Sequence, residues 1–350
     1  MVTDRVMRHY PFLLLVALTC LLFGPARLAA DLVWSPQTGW RIEGGVLTGL
    51  TGNEARTALD LMNKARSAED AGSLRRAIRA YTKVTKKYPN SIYAPEAFFR
   101  IGMLREKRHQ YFKAFDALQE LVRKYPSSEK FSQVIAEQYR IANLLLEGKR
   151  NYMWGIIPGF RDRSKAVDFY EQIITNAPYS DYASLSLMNA ARAHQILGNP
   201  EEAIDVLDRM INFYPKSVLT PDAYLKLAQT HASLVEGAYY DQASTKEAIT
   251  YYEDYLILFP NEAGVATAEK GVTDMKRVFA ESKIKIADFY YLKRSNFKAA
   301  RVFYNEAITI FPDSDVAANA KQRLAEIDAR EQKLTTTPAP EKKKKRFLLF

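Results

Sequence analysis

The sequence has one cysteine, Cys20, and four histidines, so an intramolecular disulfide and a thiolate metal cage are both excluded. The histidines are scattered singly, with no second histidine or cysteine at metal-ligand spacing. There is also no glycine-rich phosphate loop, no HExxH motif and no GxSxG nucleophile elbow. The sequence therefore predicts no metal, no cofactor and no catalytic residue, and it favours a binding protein over an enzyme.

Charge gives little support to a nucleic-acid partner. The formal net charge is +10, and a large part of the excess lies in the basic C-terminal tail. Along the rest of the chain, lysine and arginine alternate with aspartate and glutamate, whereas nucleic-acid binding requires basic residues clustered with stacking aromatics on one face. We therefore expect no nucleic-acid partner.

The N-terminus has the composition of a secretory signal. Arg5 and Arg8 precede an apolar run at 12–23, and Ala30 ends a pair of small residues. The run is short for a membrane span, so the sequence predicts a signal peptide over residues 1–30 that is cleaved after Ala30. An uncleaved anchor is the structural alternative.

Cys20 is a candidate lipid acceptor because it lies in this segment. A lipobox requires a small residue directly before the cysteine and places the cysteine at the end of the apolar run. Here Thr19 precedes Cys20, and Leu21, Leu22 and Phe23 follow it. The context favours an ordinary apolar signal-peptide cysteine over a lipidated one.

An internal repeat runs through the chain: six prolines each have an alanine twelve residues upstream and a large side chain four residues after that alanine. Alanine and a bulky residue at i and i+4 share one helix face, and proline cannot continue a helix. Each repeat therefore ends in a helix, and a second amphipathic stretch upstream completes a helical hairpin. The alanines are Ala77, Ala114, Ala166, Ala203, Ala248 and Ala300, and the prolines are Pro89, Pro126, Pro178, Pro215, Pro260 and Pro312.

The pattern resembles the tetratricopeptide repeat. Successive prolines are 37 to 52 residues apart, which fits that repeat length with linkers and insertions. Gly102, Ala114 and Pro126 fall where the family places small and terminal residues. The resemblance implies an all-α tetratricopeptide-repeat superhelix of about six helical hairpins over residues 54–333, with a C-terminal capping helix. The alternative is an ordinary helical bundle with chance spacing.

Two segments flank the repeats. Residues 31–53 alternate around turn residues, which predicts a short extended or hairpin segment. Trp34 and Trp40 lie there, and we interpret them as a cap on the first repeat, with a binding role as the alternative. For residues 334–350, which end in KKKKRFLLF, the sequence predicts a disordered basic tail. This tail is either a solvated charge run or a weak peripheral contact with an anionic membrane.

The third repeat contains an insertion at 148–164. It has too many apolar residues for a simple solvated loop. Either the loop folds back over the repeats, or it presents an adhesive surface to a partner, and the sequence leaves both open. The apolar residues are Tyr152, Met153, Trp154, Ile156, Ile157 and Phe160.

The stretch at 155–182 follows the insertion into an aromatic-rich helix and contains Arg161, Asp162, Ala166, Phe169, Tyr170, Pro178 and Ser180. At these positions it resembles the BamD (YfiO) family of the outer-membrane β-barrel assembly machinery, whereas Ala177 and Tyr179 depart from the family pattern. A second segment, 262–312, resembles the family's last repeats. The number of repeats exceeds the five usual in that family, which implies an added hairpin around 183–260.

This resemblance implies a non-catalytic scaffold in the periplasm, associated with the outer membrane. Its partners would be a BamA-like outer-membrane barrel protein, other subunits of the machinery and unfolded outer-membrane protein segments. The partner-binding residues that we predict are Trp154, Phe160, Arg161 and Asp162. A mechanism consistent with them is capture of an extended, aromatic-rich segment in the concave groove.

Two other functions remain open. A Tol-system cell-division coordinator is also a periplasmic tetratricopeptide adaptor, but that family usually has a coiled-coil segment, and residues 31–56 contain no heptads. A peptidoglycan-acting enzyme with an attached repeat domain would require a catalytic domain. Too few residues lie outside the repeats to form one.

Overall fold

The computed structural model of this chain describes residues 30–44, 52–239 and 242–336. Residues 1–29 of the predicted signal peptide, including Cys20, and residues 337–350 of the basic tail lie outside the described residues. The chain divides after Phe169 into two compact units, Met1–Phe169 and Tyr170–Phe350. Among the described helices, none has the combined length and apolar character that a bilayer span requires.

The first unit begins with an antiparallel β-hairpin and continues as helices that pack in chain order, with α1 on α2, α2 on α3, α3 on α4 and α4 on α5. A second, shorter hairpin follows α5, and the division between the units falls within α6. The elements are β1 (Ala30–Ser35), β2 (Gly39–Gly44), α1 (Gly52–Asp70), α2 (Leu74–Lys87), α3 (Tyr93–Lys107), α4 (Tyr111–Lys124), α5 (Phe131–Leu146), β3 (Tyr152–Met153), β4 (Ile157–Pro158) and α6 (Ser164–Asn176).

Among its described residues the second unit consists of helices joined by turns and loops, with no strand. Each helix from α7 to α13 packs on the next, and α13 also contacts α11. The long helix α11 ends in a π-helical turn, Phe289–Lys293, before α12 begins. The helices are α7 (Asp181–Leu197), α8 (Pro200–Phe213), α9 (Thr220–Ser233), α10 (Ala243–Leu258), α11 (Val265–Asp288), α12 (Phe297–Ile310) and α13 (Asp315–Thr336).

The residues of the repeat pattern form the core of both units. All six repeat alanines, from Ala77 to Ala300, are fully buried. The large side chains four residues later are buried as well, and the alternation of small and large residues lets the paired helices approach closely. The predicted all-α tetratricopeptide class is therefore confirmed. These large side chains are Tyr81, Leu118, Tyr170, Leu207, Tyr252 and Tyr304.

We call this close contact between the small and large residues of paired helices the seam. Glycines on the facing helices complete it at two places. A Cβ atom added to Gly102 of α3 would lie 2.7 Å from Cδ2 of Leu118 on α4. In the second unit, a Cβ atom at Gly271 of α11 would likewise collide with the Tyr252 ring of α10. The large residue of one helix therefore occupies the space that glycine leaves open on the next.

The aromatic residue before the repeat proline also bonds to the preceding repeat. The hydroxyl of Tyr214 donates to the carbonyl oxygen of Pro178 at 2.7 Å, and the hydroxyl of Tyr125 donates to the carbonyl of Pro89 in the same way. In both cases the tyrosine precedes the repeat proline 37 residues after the accepting proline. The tyrosine-proline pair thus ends its own helix and connects two successive repeat turns.

The N-terminal hairpin packs on the first repeat. Trp34 and Trp40 stand opposite each other in the β1–β2 register. Trp40 is buried, and its backbone N–H donates to Asn63 Oδ1 on α1 at 2.7 Å. The Arg66 guanidinium lies 4.1 Å from the centre of the Trp34 ring, which adds a cation–π contact. The two tryptophans therefore cover the exposed end of the first repeat.

The tight packing of the seam predicts that a larger side chain at a repeat alanine destabilises the fold. Replacing Ala114 with leucine inserts three carbons into a fully buried contact, and we expect this to lower the free energy of unfolding by about 1–3 kcal/mol. Chemical denaturation followed by circular dichroism measures the change. Ala318 on α13 is exposed, so Ala318→Leu is the matched control. Equal midpoints for the two variants would contradict this account of the seam.

Candidate protein-interaction site

The insertion in the third repeat begins where α5 ends in a Schellman motif. Gly148 has φ +85°, and its N–H donates to the Leu145 carbonyl at 2.9 Å. The N–H of Lys149 donates to the Leu144 carbonyl at 2.9 Å. These two bonds satisfy carbonyls at the helix terminus and turn the chain away from the helix axis. Arg163 donates from Nε to the Leu146 carbonyl at 3.0 Å, so both ends of the insertion are attached to the end of α5.

Between these ends the chain forms the short antiparallel hairpin of β3 and β4. Its tip is a turn in which the Ile156 N–H donates to the Met153 carbonyl at 3.1 Å. The central residues Trp154 and Gly155 have φ +52° and +72°, which are the left-handed angles of a type I′ turn. A left-handed conformation is uncommon for a bulky residue such as tryptophan. The hairpin therefore holds an aromatic side chain at its tip at some conformational cost.

The base of the hairpin is attached to the turn between α3 and α4. The N–H of Tyr152 donates to the His109 carbonyl at 2.8 Å, and the Phe112 N–H donates to Asn151 Oδ1 at 3.2 Å. The rings of His109 and Tyr152 lie 4.9 Å apart. Near the tip, Arg108 donates to the Trp154 carbonyl. These contacts hold the insertion in a defined position on the second repeat.

The outer surface of the insertion is apolar and exposed. Trp154 is 68% exposed and Phe160 is 94% exposed. Met153, Ile156 and Ile157 are each about half exposed or more. The two alternatives from the sequence are thus combined, since the base of the insertion folds back on the repeats while its outer side chains face solvent. A contiguous exposed apolar surface of this kind is typical of an interaction site.

The four predicted partner-binding residues have different environments. Trp154 forms the tip, and Phe160 follows β4 with its ring in solvent. Arg161 is exposed, and its aliphatic chain lies against Gly148. Asp162 accepts hydrogen bonds from Ser164 Oγ at 2.7 Å and from the Lys165 N–H at 3.1 Å, so its carboxylate caps α6. Trp154, Phe160 and Arg161 are accessible for binding, while Asp162 positions the helix that follows.

A basic pocket of about 680 Å³, which was not predicted from the sequence, lies beside the hairpin tip. Its lining includes Arg75, Arg76 and Arg79 from α2, Arg108 from the turn after α3, and Gly155 from the hairpin. These residues come from three separate segments, so no single stretch of sequence contains the pocket. The sequence does contain an indication of the pocket, because three arginines and no acidic residue stand at the start of α2.

A second surface, in the second unit, lies where two repeat turns adjoin. The segments 178–185 and 213–219 line a pocket of about 620 Å³ with a largely apolar surface. Tyr179 and Val218 are almost fully exposed there, and Phe213 is mostly exposed. The hydrogen bond between Tyr214 and Pro178 holds the two turns together. We call this surface the edge pocket.

A third depression, of about 340 Å³, lies among α2, α3 and α4 and mixes charges with apolar groups. Burial raises the pKa of Asp116 within it, while Lys165 and Arg105 act in the opposite direction. Burial also lowers the pKa of Arg105. Within the described part of the chain, no group of three or more histidine, cysteine, aspartate or glutamate side chains is placed to hold a metal ion.

The successive helical hairpins and their buried alanines define a tetratricopeptide-repeat protein, and the tetratricopeptide repeat family matches residues 61–91 and 96–128. These two ranges correspond to the first two helical hairpins. A second family, YfiO, described as "Outer membrane lipoprotein", matches residues 161–346. Because that match covers more than half of the chain, the chain belongs to the YfiO family.

Two curated relatives carry the name outer membrane protein assembly factor BamD. The protein from Xylella fastidiosa strain 9a5c is 23% identical over 167 residues, which is 45% of this chain and 57% of the relative. The protein from Caulobacter vibrioides is 26% identical over 137 residues, or 39% of this chain and 45% of the relative. The chain therefore spans about half the length of the curated relatives it matches.

Among solved structures, a tetratricopeptide repeat protein from Parabacteroides merdae aligns with 78% of this chain and 99% of its own length. The identity is 12% and the TM-score is 0.31. The repeat assignment stands on the family match and on the packing of the six repeat alanines.

The hairpin geometry predicts the effect of a methyl group at Gly155. A Cβ atom there would lie 2.7 Å from Nη2 of Arg108 in addition to the left-handed strain. We expect Gly155→Ala to weaken the hairpin's attachment and to raise hydrogen exchange at the Tyr152 amide. Gly198 has φ +78°, and a Cβ atom there would meet no other atom within 4 Å, so Gly198→Ala tests left-handed strain alone. Unchanged protection of the Tyr152 amide in Gly155→Ala would contradict the prediction.

Proposed function

We propose that the chain is a non-catalytic scaffold of the outer-membrane β-barrel assembly machinery, acting in the periplasm at the outer membrane. Membership of a family described as outer membrane lipoprotein supports this location. Relatives named outer membrane protein assembly factor BamD support the assembly role. The partners would be a BamA-like barrel protein, further subunits and unfolded outer-membrane protein segments.

The exposed apolar face of the insertion is the observation that carries the proposal. The repeats already bury their own alanines and aromatic residues, so packing within the first unit does not require the rings of Trp154 and Phe160. Exposed aromatic residues beside an arginine are typical of the energetic centre of a protein interface. Burying these rings against a partner would remove apolar surface from water.

Pre-organisation would strengthen such binding. The bonds from Tyr152 and Phe112 hold the hairpin before a partner arrives, so little conformational entropy is lost on association. Arg161 can donate to a carboxylate or a backbone carbonyl of the bound segment. An extended, aromatic-rich segment of an unfolded client would then pack against Trp154 and Phe160.

The edge pocket offers a separate surface for a folded partner. It lies within the part of the chain that the YfiO family matches. Tyr179, Phe213 and Val218 present apolar groups on turns that are fixed by hydrogen bonds. We propose that a BamA-like protein docks here, which leaves the insertion free for clients.

Site-specific photo-cross-linking in intact cells tests both assignments. A photoreactive residue at position 160 should trap unfolded outer-membrane proteins, and one at position 179 should trap the barrel-forming partner. Lys83, an exposed residue of α2, is the control position. The same products at all three positions would contradict the proposal, and so would capture of Tol-system proteins in place of barrel proteins.

Substitution at the insertion should weaken client binding. Truncating a central aromatic residue of an interface costs about 2 kcal/mol or more, which corresponds to roughly 30-fold in affinity. We expect Phe160→Ser to show a loss of this size for an unfolded outer-membrane protein fragment in a calorimetric titration. Ile257 is also an exposed apolar residue, so Ile257→Ser is the matched control. Equal affinity for the two variants would show that the insertion does not bind clients.

A further inference from the structure

The pocket at the hairpin tip brings four guanidinium groups together, and we call it the arginine pocket. Arg75, Arg76 and Arg79 reach it from the first turns of α2. Arg108 reaches it from the residue that ends α3. The pocket is open to solvent and large enough, at about 680 Å³, for more than a single small ion.

None of these four guanidinium groups forms an ion pair with a carboxylate of the described residues. Some other arginines of the same unit are paired, as Arg100 is with Glu96 at 2.7 Å and Arg123 is with Glu120 at 2.8 Å. An arginine usually finds a counter-charge where one is within reach, because its planar fork matches a carboxylate. The arginine pocket therefore carries about four uncompensated positive charges.

The position of α2 makes this arrangement less favourable still. The N-terminal end of a helix carries partial positive charge, which favours acidic residues there and disfavours basic ones. The first turn of α2 has no acidic residue, and its last turn has Lys86 and Lys87, as the dipole favours. The charges at the start of α2 therefore oppose the preference set by the helix dipole, whereas the charges at its end agree with that preference. Positions of this kind are expected at functional sites.

A hydrogen bond fixes the guanidinium of Arg108, which lines the pocket. Its guanidinium donates to the Trp154 carbonyl and lies against Gly155, where no side chain fills the space. Burial and the nearby Arg75 lower the pKa of Arg108, and both arginines line the same pocket. An anion between them would relieve the repulsion between the two like charges.

We propose that the arginine pocket binds a phosphate group carried by an anionic ligand. A phosphate monoester has up to two negative charges and three acceptor oxygens, so it can accept hydrogen bonds from several guanidinium forks at once. A single carboxylate would leave most of the four charges uncompensated. The proposal does not depend on the assembly role.

Two sources could supply this group: a phospholipid headgroup and a soluble phosphate compound. The hairpin tip borders the pocket through Gly155 and exposes Trp154 and Ile156 beside it. Exposed apolar and aromatic side chains next to basic ones are typical of contact with an anionic bilayer surface. A lipid-borne phosphate would therefore gain contacts that free phosphate lacks.

The test uses the full chain and two matched double variants. Arg75→Gln with Arg79→Gln removes half of the pocket charge and leaves the Arg108 bond to Trp154 intact. Lys83→Gln with Lys87→Gln removes the same charge from exposed positions of the same helix outside the pocket. Circular dichroism establishes that each variant folds, and Arg76→Gln is a milder replacement should the first double variant fail to fold.

The probes are pyrophosphate in a calorimetric titration, and phosphatidylcholine vesicles with and without phosphatidic acid in a flotation assay. We expect the wild-type chain to bind at least one phosphate-bearing probe, and the arginine double variant to bind it about tenfold more weakly or worse, as for lost charge-assisted hydrogen bonds. The lysine double variant should change the affinity less than about threefold, because its charges act only through screened solvent. Tighter binding of vesicles identifies the lipid source, and binding of pyrophosphate alone identifies the soluble source.

Three results would overturn the proposal. The first is that neither pyrophosphate nor vesicles containing phosphatidic acid bind to the wild-type chain. The second is that the lysine double variant loses as much affinity as the arginine double variant, since binding would then follow net charge and not the pocket. The third is that a glutamate-rich peptide binds through the same arginines while both phosphate probes fail, which would make the pocket a carboxylate site.

Discussion

The structure depends on the contact between a small residue on one helix and a large residue on its neighbour. In each repeat a buried alanine and, four residues later, a buried large side chain face the paired helix. In two of the repeats a glycine of the facing helix, Gly102 or Gly271, opens the space that the large group fills. This contact sets the distance between helices, and the tyrosine-proline pairs then connect successive turns. Because each repeat is held by its neighbours, the loops between helices are free to vary. The insertion is one such variation.

The sequence predicts the regular parts well because their physics is local. Spacing between Ala114, Leu118 and Pro126 is enough to determine a helix face and a helix end. The hydrogen-bonded attachment of Asn151 and Tyr152 to the α3–α4 turn could not be predicted in this way, since the partners lie about 40 residues apart in sequence. The same applies to the arginine pocket, whose members come from α2, the end of α3 and the hairpin tip. Composition alone left open whether the insertion folds back over the repeats or contacts a partner, and it did not indicate which side chains face solvent.

The departures from local rules concentrate around the hairpin. Trp154 adopts a left-handed conformation, Phe160 is almost completely exposed, and arginines occupy the start of α2 without counter-charges. Each departure costs stability that the regular repeats supply. Protein contact through the exposed rings would offset part of this cost. Anion binding in the arginine pocket would offset another part. The repeats thus act as a rigid support that holds the insertion in position for binding.

The most direct test of the central claim is purification of the native protein from its own cells in mild detergent, with all bound proteins identified by mass spectrometry. Our account predicts that a BamA-like outer-membrane barrel protein is recovered with the chain in reproducible proportion. Recovery of the chain with no barrel protein, under conditions that preserve other membrane complexes of the same cells, would contradict it.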